Sequence, residues 1–405
     1  MADDFIRVRQ ASEQLVAPLS AEDAALQSMP DCSPSKWHLA HTTWFFEQFV
    51  LGRDASYVPV NAGWDYLFNS YYQSVGPMHA RPQRGMLSRP CLAEVIDYRH
   101  AVDERVQSLL AQDHSPQTTE LVTLGLHHEQ QHQELLLTDI KHLFSLNPLK
   151  PAYQASKRRN IPALDVALKF ISRPHGKTRI GHRGGGFSFD CETPDHEVLL
   201  QPHALANRPI NNGEFREFVR DGGYQDVSLW LSAAWDTVQN NGWNRPFYWS
   251  QDLQREFTLC GEVEIDPLAP VSHVSFFEAD AFARWASARL PTEAELECVA
   301  NESCVSGHFA DHGRFHPMPP SANGEILQLF GDVWEWTASP FVSYPGYQPA
   351  AGALGEYNGK FMCGQYVLRG GSCVTPAGHL RATYRNFFHP PDRWQFSGIR
   401  LAKDQ

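Results

Sequence analysis

The chain has no C-x-x-C pair. Its eight cysteines, at positions 32, 91, 191, 260, 298, 304, 363 and 373, are scattered, which signals neither a zinc ribbon nor a thioredoxin-type site and predicts free thiols in a reducing compartment. No stretch approaches the ~18 consecutive apolar residues of a membrane-crossing helix. Met1-Ala2-Asp3-Asp4-Phe5 carries neither the basic nor the apolar region of a secretory leader. Basic runs are scarce as well. With a formal charge of −12 and a pI near 5.9, the short cluster Lys157-Arg158-Arg159 does not make nucleic acid an expected partner. Internal repeats and low-complexity tracts are absent. These absences leave a cytosolic globular protein whose 405 residues, 42% of them hydrophobic, suffice for roughly two or three domains.

What is present begins with His127-His128-Glu129-Gln130-Gln131-His132. His128 and His132 are four residues apart in a helical context, so both imidazoles project from one face about a turn apart. Alone, H-E-x-x-H reads as a zinc protease with Glu129 as general base, but the third ligand of that site is missing. Thr138 stands where one protease class places a His, and no Glu occurs between Glu134 and Glu192 to serve the other. Glu129 is therefore expected behind the ligands or on the helix surface, not as a base.

Upstream histidines are the remaining source of a ligand. In the run from Cys32 to Glu47, Ser33 reads as an N-cap and Pro34 as the first helical residue. On the helix that follows, Trp37, His41, Trp44, Phe45 and Gln48 share a face with His41 at its centre. A histidine buried in an aromatic stripe must find partners for its nitrogens, either a backbone carbonyl or a metal shared with His128 and His132. His38 lies off the stripe and is the weaker ligand. Three imidazoles from two helices make a bundle-core metal site that suits iron or zinc equally.

Periodicity predicts helices over 11–19, 36–51, 92–112 and 119–146, separated by a long irregular segment at 52–90. That segment is rich in aromatics (Tyr57, Trp64, Tyr66, Phe68, Tyr71, Tyr72), which argues for a functional loop rather than disorder. Asn147-Pro148-Leu149-Lys150-Pro151 stops the last helix. Beyond about residue 169 the composition turns to Gly, Pro, Trp and Phe, with short strands and two short helices expected at 212–221 and 275–288.

The second half resembles the formylglycine-generating-enzyme/sulfatase-modifying domain, of C-type-lectin-like fold. The matching blocks are Asn207-Arg208-Pro209-Ile210-Asn211-Asn212-Gly213-Glu214-Phe215, Pro270-Val271-Ser272-His273-Val274-Ser275, Arg289-Leu290-Pro291-Thr292-Glu293-Ala294-Glu295, Phe330-Gly331-Asp332-Val333-Trp334-Glu335-Trp336, Arg369-Gly370-Gly371-Ser372 and Ser397-Gly398-Ile399-Arg400. Through Trp37-His38-Leu39-Ala40-His41 and His128-Glu129-Gln130-Gln131-His132, the first half resembles the DinB-like four-helix bundle. Together, in this order, the halves resemble the ergothioneine-biosynthesis sulfoxide synthases. The resemblance implies an α+β chain: a DinB-like four-helix bundle over 1–155, a linker at 156–172 and a C-type-lectin-like domain over 173–405.

It also implies the chemistry. Members of that family are non-haem iron enzymes that use Fe(II) and O2 to join a cysteine-type thiol to the imidazole C2 of hercynine (Nα-trimethylhistidine) and oxidise the sulfur. The three-His site falls on His41, His128 and His132. The double-Tyr branch places the pair Tyr71 and Tyr72 at the metal, either one supplying a proton or electron to the reacting oxygen. Arg81 and Arg84 are candidates for the carboxylate of the thiol substrate, because arginine forks grip carboxylates in bidentate fashion. Gln131 matches a position facing the other substrate. Asn386 would hydrogen-bond hercynine and Phe387 would face its trimethylammonium. Phe388 stands where the γ-glutamylcysteine-using branch has an Asp, which favours free cysteine.

The implied partners are small molecules (hercynine, cysteine and O2), with no nucleic acid, no membrane and a homo-oligomer left open. Selenoneine synthases and 5-histidylcysteine sulfoxide synthases share this architecture, and a non-catalytic lectin-like module is the distant alternative. Formylglycine generation is rejected, because Thr375 and Leu380 stand at the places of its two cysteines and Cys373 is misplaced.

Overall fold

The computed structural model describes residues 1–155, 163–322 and 324–405. Lys157-Arg158-Arg159 and the start of the linker expected at 156–172 lie outside the described residues. The chain divides into two compact units, Met1–Gln154 with Ala350–Tyr357, and Ala155–Pro349 with Asn358–Gln405. The expected α+β class is observed, and among the described residues no helix is long and apolar enough to cross a membrane. None of the eight cysteines is in a disulfide among the described residues.

The first unit is helical: α1 (Ala2–Val16), α2 (Ser35–Phe49), the short α3 (Trp64–Phe68), α4 (Leu92–Gln112) and α5 (Pro116–Leu146). Helix α4 has the bounds its periodicity predicts. Helix α5 begins earlier than expected because Ser115 caps it, its side chain accepting from Thr118 N–H, with Pro116 at the first position. Helix α1 covers 2–16 instead of 11–19. Its inner face carries Arg9 and Ser12 beside Phe5, Val8 and Val16, and those polar residues mask the apolar stripe. The expected cap of α2 is also corrected. Pro34 is the N-cap and makes no side-chain cap, whereas Ser33 spends its backbone N–H on Asp139 Oδ2 at 2.7 Å.

The long helices pack through Phe5, Val8, Phe46, Val102, Val106 and Val122. Gly125 sets the spacing of α2 and α5, since a Cβ there would lie 2.5 Å from the Phe46 ring. Deep in the bundle sits an ion network. Glu129 Oε2 accepts from Arg9 Nη1 at 2.7 Å, and Oε1 accepts from Ser12 Oγ at 2.6 Å and from Arg99 Nη2. Arg9 also donates to Asp103 at 2.7 Å and to Thr43 at 2.8 Å. The network thereby ties α1, α2, α4 and α5 together. Glu129 is fully buried, which overturns the helix-surface alternative for it.

The second unit contains β1 (Phe170–Arg173), β2 (Gly176–Ile180), β3 (His196–Leu200), β4 (His203–Ala206), α6 (Asn212–Arg220), α7 (Ser232–Asn241), β5 (Arg255–Thr258), β6 (Gly261–Glu264), α8 (Phe276–Trp285), α9 (Glu293–Asn301), β7 (Trp334–Pro340), β8 (Tyr366–Arg369), β9 (Asn386–Phe388), β10 (Ser397–Gly398) and β11 (Ala402–Asp404). Two sheets, ordered β1-β4-β11 and β10-β7-β8-β9, are joined by the hairpins β2-β3 and β5-β6. Helices α6 and α8 correspond to the two expected. Helices α7 and α9 were not expected, although Thr292 and Glu295 form a capping box at the start of α9.

Buried ion pairs join the motif blocks of this unit. Arg400 Nη2 meets Glu335 at 2.7 Å, and Arg369 Nη2 meets Glu293 and Glu297 at 2.8 and 2.7 Å. These buried pairs fix blocks distant in sequence to one another where regular structure is sparse.

Burial alone would raise the pKa of Glu129, but Arg9 and Arg99 outweigh it and hold the carboxyl at about 2. Glu129→Gln removes the carboxylate that Arg9 and Arg99 share, leaving them Asp103 and Glu13, and breaking such a buried network costs up to about 3–5 kcal/mol. Urea unfolding at pH 7 should show that loss. Because the folded-state pKa is depressed, the wild-type advantage is present above the unfolded value of about 4.3. It fades as pH falls toward 2.

Candidate metal centre

Helices α2 and α5 bring three imidazoles together. The ligand-capable atoms of His41, His128 and His132 all lie within 4.8 Å of one another, and His41 Nε2 faces His128 Nε2 at 3.2 Å. His41 is clamped between indoles, because Trp37 and Trp44 lie one turn to either side of it on α2. Its ring stacks on Trp37 at 4.6 Å and 12° and on Trp44 at 5.7 Å and 15°. Phe45 braces His128 at 4.7 Å.

The short helix α3 supplies the acceptors that orient this face. Its end carbonyls have no partner within the helix. Leu67 O accepts from Trp37 Nε1 at 3.0 Å, and Phe68 O accepts from His41 Nδ1 at 2.5 Å. With its hydrogen committed to Phe68, His41 presents the Nε2 lone pair to the site. One nitrogen of His41 therefore takes a backbone carbonyl and the other faces the histidine cluster.

Burial holds all three rings in the neutral form. It pushes the pKa of His41 and His132 well below the usual imidazole value, with neighbouring histidines adding to the effect. For His128 burial lowers it to about 3. Neutral imidazoles are the metal-binding form, so the donor set fits a divalent transition metal. Glu129 points into the arginine network, and a carboxyl with a pKa near 2 is a poor base, which removes the protease chemistry that H-E-x-x-H suggests. His38 meets the cluster only through His132. Its Nδ1 contacts His132 Nδ1 at 2.8 Å and its Nε2 contacts Asp139 at 3.0 Å.

The aromatic loop reaches the same place. Tyr72 is fully buried, its ring 5.6 Å from Trp44 and 5.0 Å from Phe49, and Tyr71 lies 4.6 Å from Tyr72. Burial raises both phenols, so each carries its proton at neutral pH. A third tyrosine joins them from Ala350–Tyr357. Tyr357 lies 5.9 Å from Tyr71 and 5.5 Å from His128, and its hydroxyl donates to Gln131 Oε1. The same segment is pinned by Glu356, which accepts from Gln73 N, Ser74 N and Ser74 Oγ at 3.0, 2.9 and 2.6 Å. Sequence reading missed Tyr357. It sits in an irregular stretch far along the chain from α5, where no periodicity marks it.

The two candidate arginines differ. Arg84 is buried, with its guanidinium carbon 3.4 Å from the Trp37 ring centroid, and it donates to Ser33 Oγ and Ser70 Oγ, both at 3.0 Å. No carboxylate among the described residues forms an ion pair with it. Burial, with Arg81 nearby, pushes its pKa well below the usual guanidinium range. Arg81 is exposed and donates to the backbone carbonyl of Asp31.

Asn386, Phe387 and Phe388 belong to the second unit and form the edge strand β9. Strand alternation puts Asn386 and Phe388 on one face and Phe387 on the other. Phe387 stacks on Phe341 at 4.1 Å and 12°, and on Phe361 at 5.9 Å and 24°.

Comparison with known proteins covers both units. The DinB superfamily model matches residues 4–136, and the sulfatase-modifying factor enzyme 1-like domain matches 166–324 and 313–405. Over full length the chain is similar to the hercynine oxygenase of Mycolicibacterium smegmatis, 31% identical with 100% of this chain and 98% of the relative covered. The hercynine oxygenase of Mycolicibacterium thermoresistibile is 32% identical, with 100% and 94% covered. That of Mycobacterium tuberculosis is 32% identical, with 100% and 98% covered. Identity at this level over almost the whole of each chain means that the chain belongs to the hercynine oxygenase family.

Proposed function

We propose that the protein is a non-haem Fe(II)- and O2-dependent sulfoxide synthase. It joins cysteine to the imidazole C2 of hercynine, giving hercynylcysteine sulfoxide in ergothioneine biosynthesis. The observation that carries this reading is the end-to-end likeness to hercynine oxygenases in a chain with three neutral imidazoles converging on one point. The reaction balances without another reductant. The thiol hydrogen and the C2 hydrogen leave with one oxygen atom as water, and the second oxygen atom becomes the sulfoxide.

Iron held by His41, His128 and His132 would supply the redox chemistry and a coordination position for the thiolate. The remaining roles fall to the protein's own groups. Arg84, a buried guanidinium with no ion pair to a carboxylate among the described residues, is suited to the carboxylate of cysteine; Arg81 is the exposed second candidate. Trp37 and Trp44 hold His41 rigid and keep water from its ring faces. Tyr71, Tyr72 and Tyr357 form a chain of phenols that ends against His128, and the acting one delivers a proton during C–S bond formation. Gln131 orients Tyr357 by accepting its hydrogen. Asn386 and Phe387 would contact hercynine, and Phe388 replaces the acid that would meet a γ-glutamyl amine.

Anaerobically loaded Fe(II) enzyme, given hercynine, a panel of thiols and then air, should yield hercynylcysteine sulfoxide by mass spectrometry. Its kcat/KM should be higher for cysteine than for γ-glutamylcysteine. A preference for the dipeptide would overturn the reading of Phe388, and no sulfoxide with any thiol would overturn the function. Alanine at His41, His128 or His132 should abolish turnover and sharply lower iron content while far-UV circular dichroism is retained. Full iron occupancy in His41→Ala would remove that residue from the site.

Phenylalanine at the acting tyrosine should slow coupling by about 10²–10⁴-fold, the usual cost of losing a general acid, with iron binding intact. Cysteine sulfinic acid should then accumulate. Coupling at the wild-type rate in Tyr71→Phe, Tyr72→Phe, their double variant and Tyr357→Phe would show that all three only pack.

A further inference from the structure

The candidate ligands differ in what holds their outward nitrogens. His41 uses a backbone carbonyl. His132 uses another histidine, its Nδ1 lying 2.8 Å from Nδ1 of His38, whose Nε2 lies 3.0 Å from Asp139 Oδ2. His38 and Asp139 are 4% and 7% exposed, so water does not compete for these bonds. Asp139 is itself fixed at the entry to α2, because its Oδ2 also accepts the Ser33 N–H at 2.7 Å.

Elementary chemistry assigns the hydrogens. A carboxylate only accepts, so His38 Nε2 donates to Asp139. A neutral His38 then has its lone pair on Nδ1, and His132 Nδ1–H must donate to it. That leaves the His132 lone pair on Nε2. Running the chain the other way puts a hydrogen on Nε2 and removes His132 from the ligand set.

We propose that Asp139 and His38 form a two-residue relay that selects the metal-binding tautomer of His132 and strengthens it as a donor. Both are positioning residues, acting through His132 without touching metal or substrate. The proposal rests on reading the three imidazoles as a metal site. It explains why His38, next to the aromatic stripe but off it, is buried with both nitrogens engaged. Outer partners of this kind typically change metal affinity or activity about 10–100-fold.

The test compares Asp139→Asn, His38→Gln and His38→Phe with the wild-type chain. Asparagine keeps an acceptor for His38 and Ser33 but loses the carboxylate. Glutamine keeps a carbonyl for His132 Nδ1–H, and phenylalanine does not. Anaerobic competition with a chromogenic chelator gives the Fe(II) dissociation constant. A redox titration gives the Fe(III)/Fe(II) potential, and urea unfolding of the metal-free chain reports stability separately.

Asp139→Asn and His38→Phe should bind Fe(II) about 10–100-fold more weakly and shift the potential in the positive direction. His38→Gln should recover part of the affinity. Wild-type affinity and potential in Asp139→Asn and His38→Phe would overturn the relay, as would lowered metal-free stability with an unmoved potential. If His38→Phe does not fold, Asp139→Asn decides alone. Failure of the wild-type chain to bind Fe(II) would instead overturn the metal reading, and the relay with it.

Discussion

Glu129 accepts hydrogen bonds from Arg9, Arg99 and Ser12 where water does not reach, and the rotation of α5 about its own axis follows from that. A buried carboxylate is tolerated only where opposite charge and donors surround it. The helix must therefore turn Glu129 toward α1 and α4. Successive residues on a helix are about 100° apart, so His128 and His132 are carried to a different face, toward α2. The network adjoins the histidine cluster in sequence but not in chemistry. It sets the direction of the imidazoles while its own carboxylate stays committed to Arg9, Arg99 and Ser12.

Once α5 is oriented, the cluster depends on how closely α2 approaches and how firmly its rings are held. Gly125 permits the approach. The indoles of Trp37 and Trp44 leave His41 one orientation, and the end carbonyls of α3 hold Trp37 and His41 by their N–H groups. The long segment after α2 is thus part of the site's framework. It brings acceptors, two tyrosines and Arg84 to one place while keeping little helix of its own.

That environment is buried and largely aromatic. Burial keeps the imidazoles neutral, Arg84 lies over Trp37 with no carboxylate among the described residues in an ion pair with it, and the Tyr71 and Tyr72 phenols hold their protons. Such a place keeps imidazole in its neutral, lone-pair-bearing form, with the buried phenols as hydrogen donors beside it. A zinc protease needs the reverse, a carboxylate free to take a proton from water. Here the only carboxylate of the H-E-x-x-H motif is already committed.

The sequence by itself determined the helical character of the first half, the bounds of α4, and the trio His41, His128 and His132 as candidates. Those features are local: a helical period, an i,i+4 pair and an aromatic stripe are written in consecutive residues. Only the tertiary structure decided the rest. The inner face of α1 is polar because Arg9 is matched by Glu129, a pairing across 120 positions that no local pattern reveals. His38 turned out to be engaged with His132 and Asp139, which depends on how α2 lies against α5. Tyr357 reaches His128 because Ala350–Tyr357 packs with the helical unit, though its own stretch of sequence has no period to mark it. Contacts between residues distant along the chain are chosen by packing and by the need to satisfy buried charge, and these act only once the chain is folded.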